Sequence, residues 1–328
     1  MEFELATTEF VLNNLNGFPL LDVRSSNEFD AGHIQGAINF PVLNNEERAS
    51  VGTCYKQQGH DAAVILGYKL VGNKFHEYIS SANKLFPQKK IMMHCWRGGL
   101  RSKIMANLLQ TASFEIKILE GGYKSYRQHV LQTFEQQFKL KILGGYTGSK
   151  KTALLNEMKN NGKQTIDIEA LANHRGSAFG NIGLPPQPTQ EQFENNLAFE
   201  MYKLDLNQNI WIEDESRMTG ILQTPTNLYD QMRNAEIYFL QIPFEQRMEN
   251  ILDEYAKYGI DLLIASTQKL KKRLGDLKTN QAISYLSNGN LSDWLKIVLA
   301  YYDKTYDYGL QQREKGKIVF IESLKDIK

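Results

Sequence analysis

Cysteine is scarce in this sequence, and several other common features are missing altogether. Only two cysteines occur in 328 residues, which argues against a disulfide framework, and neither has a neighbouring cysteine or histidine at zinc-site spacing. No apolar run approaches the roughly 18 residues that a membrane-spanning helix needs. The acidic start, MEFELATTEF, lacks the basic segment and apolar core of a signal peptide. We therefore expect a cytoplasmic protein in a reducing compartment, with no membrane association.

An excess of charge of one sign is also missing. The 38 basic and 37 acidic side chains leave a formal net charge of +1, so any contact with nucleic acid must come from local patches. The length exceeds that of a usual single hydrophobic core, which favours two domains.

Short apolar runs alternate with helical patterns along most of the chain. The predicted strands of the first half are PLLDV (19–23), AINFPV (37–42), KIMMH (90–94) and FEIKIL (114–119). Those of the second half are LKILGG (140–145), QTIDIE (164–169), NIWIED (209–214), AEIYFLQIP (235–243) and GKIVFIES (316–323). Strands interleaved with helices indicate an α/β fold with mostly parallel sheets. We place the two domains at residues 1–132 and 133–328.

One cysteine lies in a segment whose pattern predicts a reactive thiol. In IMMHCWRGGLRS (91–102), Cys95 follows a strand and precedes a helix, where converging backbone N–H groups lower the pKa of a thiol. Two arginines add positive charge, and two glycines permit a tight backbone path. We predict that Cys95 is a nucleophile, with a buried structural cysteine as the alternative. The predicted oxyanion-binding loop consists of Trp96, Arg97, Gly98, Gly99, Leu100 and Arg101.

A second glycine-rich turn lies between a predicted strand and an apolar helix, in LKILGGYTGSKKTALL (140–155). It matches the Walker A pattern for phosphate binding, except that Lys150 replaces the second required glycine. If residue 150 needs a positive φ, the lysine costs about 1–2 kcal/mol. Backbone N–H groups and a lysine of such a loop hold phosphate, and the Thr152 hydroxyl can bind Mg²⁺. The predicted phosphate-binding residues are Gly145, Gly148, Ser149, Lys150, Lys151 and Thr152.

Other charged side chains of the second half are candidates for supporting roles. The strand NIWIED runs into three carboxylates that suit a Mg²⁺ held through water, although acidic strand ends are often merely solvated. These carboxylates are Glu213, Asp214 and Glu215. In QKLKKRLGDLK (268–278), leucines at helical spacing predict a helix with a basic face for RNA backbone, with plain solvation as the alternative. The predicted contacts with phosphate or RNA are His174, Arg175, Ser177, Lys271, Lys272 and Arg273. No tightly bound metal or cofactor is expected.

Two signatures of the first half resemble known families. The Cys-x5-Arg-Ser pattern occurs both in protein-tyrosine phosphatases and in rhodaneses, whose cysteine carries sulfur as a persulfide. LLDVRSSNEFDAGHIQGAINFPV (20–42) resembles the rhodanese N-terminal signature and favours the second family. The cysteine loop is longer than in ordinary single-domain sulfurtransferases, which implies an oxyanion larger than a single sulfur atom.

The chain as a whole resembles the bacterial tRNA 2-selenouridine synthases, in which a rhodanese-like domain precedes a P-loop NTPase-like domain. Besides the cysteine loop, the likeness rests on NNEERASVGTCYKQQGHDAA (44–63), LEGGYKSYR (119–127), GGYTGSKKT (144–152), ANHRGSAFG (172–180), PQPTQEQFEN (186–195) and EDESRMTG (213–220). The chain departs from the family at Lys150, where glycine is usual.

The resemblance implies a transferase that converts 5-substituted 2-thiouridine at the tRNA wobble position into 2-selenouridine. The family's route is S-geranylation by geranyl diphosphate, followed by selenation with selenophosphate. For this route, our hypothesis is that the loop at residues 145–152 binds the diphosphate, which Mg²⁺ can assist, and that Cys95 takes part in the selenium step. Two alternatives stay open: a Cys-x5-Arg phosphatase fused to an ATP-dependent kinase-like domain, and a non-catalytic P-loop module that binds RNA.

Overall fold

The computed structural model describes residues 3–255 and 257–327, which divide into two compact units, residues 1–133 and 134–328. The strands of the first unit are β1 (Glu4–Ala6), β2 (Leu20–Asp22), β3 (Ile38–Asn39), β4 (Lys90–His94) and β5 (Glu115–Leu119). Its helices are α1 (Thr8–Asn14), α2 (Ser26–Ala31), α3 (Asn45–Gln58), α4 (His60–Gly72), α5 (Phe75–Leu85), α6 (Leu100–Thr111) and α7 (Gly122–Thr133). The strands form one parallel sheet in the order β1-β5-β4-β2-β3.

The middle strand of this sheet, β4, leads directly into the cysteine loop. Ile91, Met92 and Met93 are consecutive and fully buried. Because successive side chains of a strand point to opposite faces, both faces of β4 must be covered. The loop therefore begins from a rigid strand in the centre of the unit.

The second unit is built around another parallel sheet. Its strands are β6 (Leu140–Gly145), β7 (Gln164–Ile166), β8 (Ile210–Glu213), β9 (Met218–Thr219), β10 (Leu222–Gln223), β11 (Glu236–Leu240) and β12 (Ile318–Ile321). Its helices are α8 (Lys151–Asn160), α9 (Ile168–Ala172), α10 (Gln190–Tyr202), α11 (Thr226–Asn234), α12 (Phe244–Tyr255), α13 (Ile260–Lys269), α14 (Lys271–Leu274), α15 (Asp276–Ser287) and α16 (Leu291–Gln311), with 3-10 turns at Lys315–Lys317 and Leu324–Asp326. The five-stranded sheet has the order β12-β11-β6-β8-β7, while β9 and β10 form a separate antiparallel hairpin.

The predicted α/β class with parallel sheets is confirmed, but short elements differ from the prediction. The strands β1, β9 and β10 were not predicted, because two or three residues carry too little periodicity. The strand predicted over residues 164–169 ends at Ile166, since the Asp167 side chain accepts a 2.8 Å hydrogen bond from the Ala170 N–H and caps α9. None of the helices in the described ranges combines the length and hydropathy that crossing a bilayer requires.

The single basic helix predicted over residues 268–278 is wrong. Helix α13 ends at Lys269, α14 spans only four residues, and α15 begins at Asp276. Gly275 separates the last two with a φ of +81°, a conformation that breaks the helical backbone. The basic side chains of this stretch therefore do not share one helical face.

Candidate functional site

Cys95 lies immediately after β4 in an environment that favours the thiolate. The Gly99 N–H donates a 3.2 Å hydrogen bond to Sγ, and the Ser102 hydroxyl lies 3.3 Å from the same atom. Burial raises the pKa of the Cys95 thiol, but the hydrogen bonds from Ser102 and the charge of Arg101 outweigh burial and leave the pKa below its ordinary value. The thiol thus has the electrostatic support that a nucleophile needs.

The start of helix α7 fixes the backbone of the cysteine loop. The N–H groups of Tyr123 and Lys124 donate 2.9 Å hydrogen bonds to the carbonyl oxygens of Cys95 and Trp96, respectively. Gly122 has a φ of +63°, and a Cβ added there would lie 2.5 Å from the Cys95 carbonyl oxygen. Only glycine permits this approach. The segment LEGGYKSYR is therefore part of the cysteine site, as a support for its loop.

Arg101 is held beside the loop by an acidic partner that sequence reasoning missed. Its Nη1 and Nη2 atoms lie 2.6 and 3.2 Å from the two carboxylate oxygens of Glu28, a bidentate pair. Glu28 also accepts a 3.1 Å hydrogen bond from the Ser25 N–H, and Arg48 Nε lies 3.6 Å from Glu28 Oε2. Burial raises the pKa of Glu28, but its pairing with Arg101 outweighs burial and lowers the pKa. The guanidinium therefore has a fixed orientation beside a carboxylate whose charged form it stabilises.

The remaining residues of the predicted oxyanion-binding loop differ in their exposure to solvent. Trp96 and Leu100 are 38% and 45% exposed, and Arg97 is also exposed. Gly98 and Gly99 are partly buried, and Gly98 has a φ of +65°. The glycines shape the loop, whereas the three larger side chains remain accessible to a substrate.

The Asp-Val-Arg part of the rhodanese-like signature supports the fold behind the loop. Asp22 and Arg24 are fully buried and form an ion pair of 2.5 Å. The Arg24 guanidinium also lies 3.8 Å from the ring centroid of Tyr123, whose N–H holds the loop. The neighbouring His94 is buried, and burial lowers its pKa to about 4, so it is neutral at physiological pH. These groups support the cysteine loop through packing.

The Walker A-like loop connects β6 to α8 and is held by residues far along the chain. The Asn250 side-chain amide donates a 2.8 Å hydrogen bond to the Gly148 carbonyl oxygen, and Arg247 donates a 3.2 Å bond to that of Thr147. A Cβ added at Gly148 would lie 2.6 Å from the Arg247 carbonyl oxygen. Helix α12 therefore braces the loop, which no spacing within the motif reveals.

Lys151 lies at the first turn of α8 with its ammonium turned back onto the loop. Its Nζ donates a 3.0 Å hydrogen bond to the Gly145 carbonyl oxygen and lies 5.4 Å from the centre of the Tyr306 ring. Burial lowers the pKa of Lys151, but Tyr306 and nearby carboxylates outweigh burial and raise the pKa, so the ammonium stays charged. Ser149 is buried, and its hydroxyl donates a 2.7 Å hydrogen bond to the Tyr146 carbonyl oxygen.

Lys150 takes the conformation that the missing glycine would have taken. Its φ and ψ are 57° and 37°, in the left-handed region. The lysine thus keeps the turn of the loop, at the backbone cost of about 1–2 kcal/mol that a side chain pays there.

Lys150→Gly should therefore stabilise the second unit by about 1 kcal/mol, because the gain exceeds the added freedom of the unfolded chain. Urea unfolding of the full-length chain, followed by a signal from this unit, measures the change. Lys159→Gly, at an exposed position in the last turn of α8, is the matched control and should destabilise by a few tenths of a kcal/mol up to about 1 kcal/mol. An unchanged or lower stability for Lys150→Gly would show that the left-handed lysine is not strained.

Three carboxylates converge near the end of β8 and the start of α9. Only two of them belong to the predicted set of three. Ligand oxygens of Glu169, Glu213 and Glu215 all lie within 4.8 Å of one another. Asp214 instead pairs with Arg313 at 2.6 Å and lies 3.7 Å from Arg233. Burial raises the pKa of Glu169 and of Glu215 most strongly, and the neighbouring carboxylates raise both pKa values further. We call Glu169, Glu213 and Glu215 the acidic cluster.

The acidic cluster fits a hard divalent cation. Its donors are all oxygens, which Mg²⁺ prefers, and Glu213 Oε1 is buried with no hydrogen-bond partner among the described residues. A hydrogen bond from the Thr152 side chain lowers the pKa of Glu213 against the larger, opposite effect of burial. The cluster therefore adjoins the phosphate loop, where a cation would also meet a bound phosphate.

The other predicted contacts are mostly engaged within the protein. His174 is buried; its backbone N–H donates to the Glu169 carbonyl oxygen at 3.0 Å, and its ring Nδ1 has no hydrogen-bond partner among the described residues. Arg175 Nε lies 3.1 Å from Glu254 Oε1, and the Ser177 hydroxyl accepts from the Phe179 N–H at 3.1 Å. In the basic stretch, the polar contacts are Lys271 with Asp276 at 3.0 Å and Arg273 with the Tyr301 hydroxyl at 3.3 Å, while Lys272 is exposed.

Some solved structures are similar to part of this chain. One is the N-terminal domain of a protein named for ATP/GTP binding from Clostridium difficile 630, with 36% identity over 39% of this chain and 99% of that chain, at a TM-score of 0.36. Another is a rhodanese-related protein from Thermoplasma volcanium, with 18% identity over 38% of this chain and 92% of that chain, at a TM-score of 0.25.

Two family models match the chain in the order that the sequence predicted. The rhodanese-like domain matches residues 7–129, and the tRNA 2-selenouridine synthase AAA domain matches residues 138–328. The second match alone covers more than half of the chain. The predicted resemblance is therefore confirmed, and the chain belongs to the tRNA 2-selenouridine synthase family of tRNA-modifying enzymes.

Proposed function

We propose that this enzyme converts 5-substituted 2-thiouridine at the tRNA wobble position into 2-selenouridine in two steps. Geranyl diphosphate first alkylates the sulfur, and selenophosphate then supplies the selenium that replaces it. The observation that carries the proposal is the pairing, in one chain of this family, of a phosphate loop with a thiolate-centred oxyanion loop.

The phosphate loop supports the alkylation step. When the uridine sulfur attacks geranyl diphosphate, a carbon–sulfur bond forms, the carbon–oxygen bond to diphosphate breaks, and the N3 proton of the base is released. The departing diphosphate gains negative charge, which Lys151 and the loop N–H groups neutralise. A Mg²⁺ held by the acidic cluster and Thr152 would supply further charge neutralisation.

The cysteine loop supports the selenium step. Selenophosphate is a tetrahedral oxyanion, which the loop N–H groups and the fixed Arg101 can hold. The Cys95 thiolate attacks phosphorus, the phosphorus–selenium bond breaks, and selenide is released; water then frees phosphate from the cysteine. Selenide adds at C2 of the base, the carbon–sulfur bond breaks, and the geranylated sulfur departs as a thiolate, a better leaving group than a thiocarbonyl sulfur. We assign the Cys95 thiolate to this release of selenium.

The alternative of a non-catalytic RNA-binding module rested on Lys150. Because Lys150 adopts the left-handed conformation, the substitution leaves the turn in place and Lys151 next to the loop carbonyl of Gly145. This conformation supports a working phosphate loop over a degenerate one.

Mass spectrometry of the wobble nucleoside tests the proposal. Transfer RNA containing 2-thiouridine is incubated with the protein and both donors, and then with each donor left out in turn. We expect S-geranyl-2-thiouridine with geranyl diphosphate alone, and 2-selenouridine only when both donors are present. Release of phosphate from simple phosphoesters, with an unchanged nucleoside, would favour the phosphatase–kinase alternative instead.

A further inference from the structure

The acidic cluster differs from the adjacent Asp214 in how its charge is balanced. Asp214 pairs with Arg313 and lies close to Arg233. The three carboxylates of the cluster have Lys151 as the ammonium that acts on each of them. The fold therefore supplies arginines to the carboxylate outside the cluster, whereas the three carboxylates inside it share one ammonium, and Glu169 and Glu215 have raised pKa values. Buried negative charge is costly unless a cation balances it.

The cluster also keeps an unused ligand atom. Glu213 is 1% exposed, and its Oε1 has no hydrogen-bond partner within the described part of the chain. Gly176 lies against the other two carboxylates, where an added Cβ would be 2.7 Å from Glu215 Oε2 and 3.1 Å from Glu169 Oε1. The absence of a side chain at Gly176 lets the backbone approach these two carboxylates. A buried oxygen with no hydrogen-bond partner is a feature of a ligand site.

We propose that Glu169, Glu213 and Glu215 form a divalent-cation site that fills before any phosphate binds. Mg²⁺ in phosphate-transfer enzymes is usually held by one or two carboxylates together with the substrate's phosphates. Three converging carboxylates supply enough ligand oxygen to hold a hard cation without that help. The cation is then a resident component of the site, in contrast to the sequence expectation that no metal is tightly bound.

This site does not depend on which phosphorylated substrate the loop accepts. It requires the three carboxylates alone, so it would exist whether the adjacent loop binds a prenyl diphosphate or a nucleotide. Its failure would leave the proposed two-step reaction standing, and the converse also holds.

Electron paramagnetic resonance of Mn²⁺ tests the site in the full-length chain, with no diphosphate or nucleotide present. We expect one Mn²⁺ per chain to lose its free-ion signal, and Mg²⁺ to compete for the same site. Loss of an outer-shell partner alone costs about 10–100-fold in metal affinity, so Glu169→Gln should weaken binding by at least about tenfold. Glu157→Gln, on the exposed face of α8, is the matched control and should bind Mn²⁺ as the wild type does.

A second variant guards against misfolding as the cause. Glu169→Asp keeps a carboxylate at the same position and should bind Mn²⁺ more tightly than Glu169→Gln does. Circular dichroism confirms that each variant is folded. Mn²⁺ binding that appears only after diphosphate is added, or that is unchanged in a folded Glu169→Gln chain, would overturn the proposal.

Discussion

Cys95→Ser should abolish 2-selenouridine formation and leave S-geranylation intact. The serine hydroxyl has nearly the same size but is not ionised, so the hydrogen bonds from Gly99 and Ser102 no longer stabilise a nucleophilic anion. Because a nucleophile that acts with its supporting groups contributes as a unit, we expect the selenation rate to fall by at least about a hundredfold. S-geranyl-2-thiouridine should accumulate in the tRNA and can be counted by nucleoside mass spectrometry.

The other cysteine provides the matched control for this variant. Cys54 lies in α3, is also a free thiol, and is partly exposed. Cys54→Ser should therefore retain both steps. Full selenation by Cys95→Ser would remove the thiol from the mechanism and leave the loop as a binding element only.

Lys151→Met should abolish S-geranylation and leave the selenation of geranylated tRNA intact. Methionine fills similar space but cannot neutralise the departing diphosphate. Loss of one preorganised group that stabilises transition-state charge costs about 10²–10³ in kcat, so we expect a fall of at least about a hundredfold. The measurement is the rate of appearance of the geranylated nucleoside with geranyl diphosphate as the only donor.

The control for Lys151 lies about two turns further along the same helix. Lys159 is exposed near the end of α8, and Lys159→Met removes the same charge from the chain at a distance from the loop. It should geranylate at the wild-type rate. A geranylation rate that is equal in the two variants would show that the phosphate loop does not bind the diphosphate.

The sequence was sufficient to predict the two loops because each consists of neighbours along the chain. A strand, a glycine-containing turn and a helix start place Cys95 and Lys151 without any knowledge of the rest of the fold. Their supporting groups could not be predicted, because they come from distant segments that only the packing brings together. Glu28 reaches Arg101 across 73 positions, and Asn250 reaches Gly148 across 102.

The acidic cluster shows where local reasoning could have gone further. Because side chains alternate along a strand, Glu213 and Glu215 share one side and Asp214 takes the other, so grouping all three ignored the period of two. The third member was hidden for another reason. Glu169 was taken as the end of a strand, whereas the cap at Asp167 turns the chain into α9 and carries that carboxylate to the cluster.

Treating the same tRNA with the two variants in succession tests most directly the central claim that each loop carries out one step. Transfer RNA containing 2-thiouridine is first treated with Cys95→Ser and geranyl diphosphate, repurified, and then given to Lys151→Met with selenophosphate. The wobble nucleoside is identified by mass spectrometry after each stage. We predict S-geranyl-2-thiouridine after the first stage and 2-selenouridine after the second, although neither variant makes 2-selenouridine from the starting tRNA alone. An S-geranylated nucleoside that persists through the second stage, with both proteins folded, would contradict the division of the reaction between the two loops.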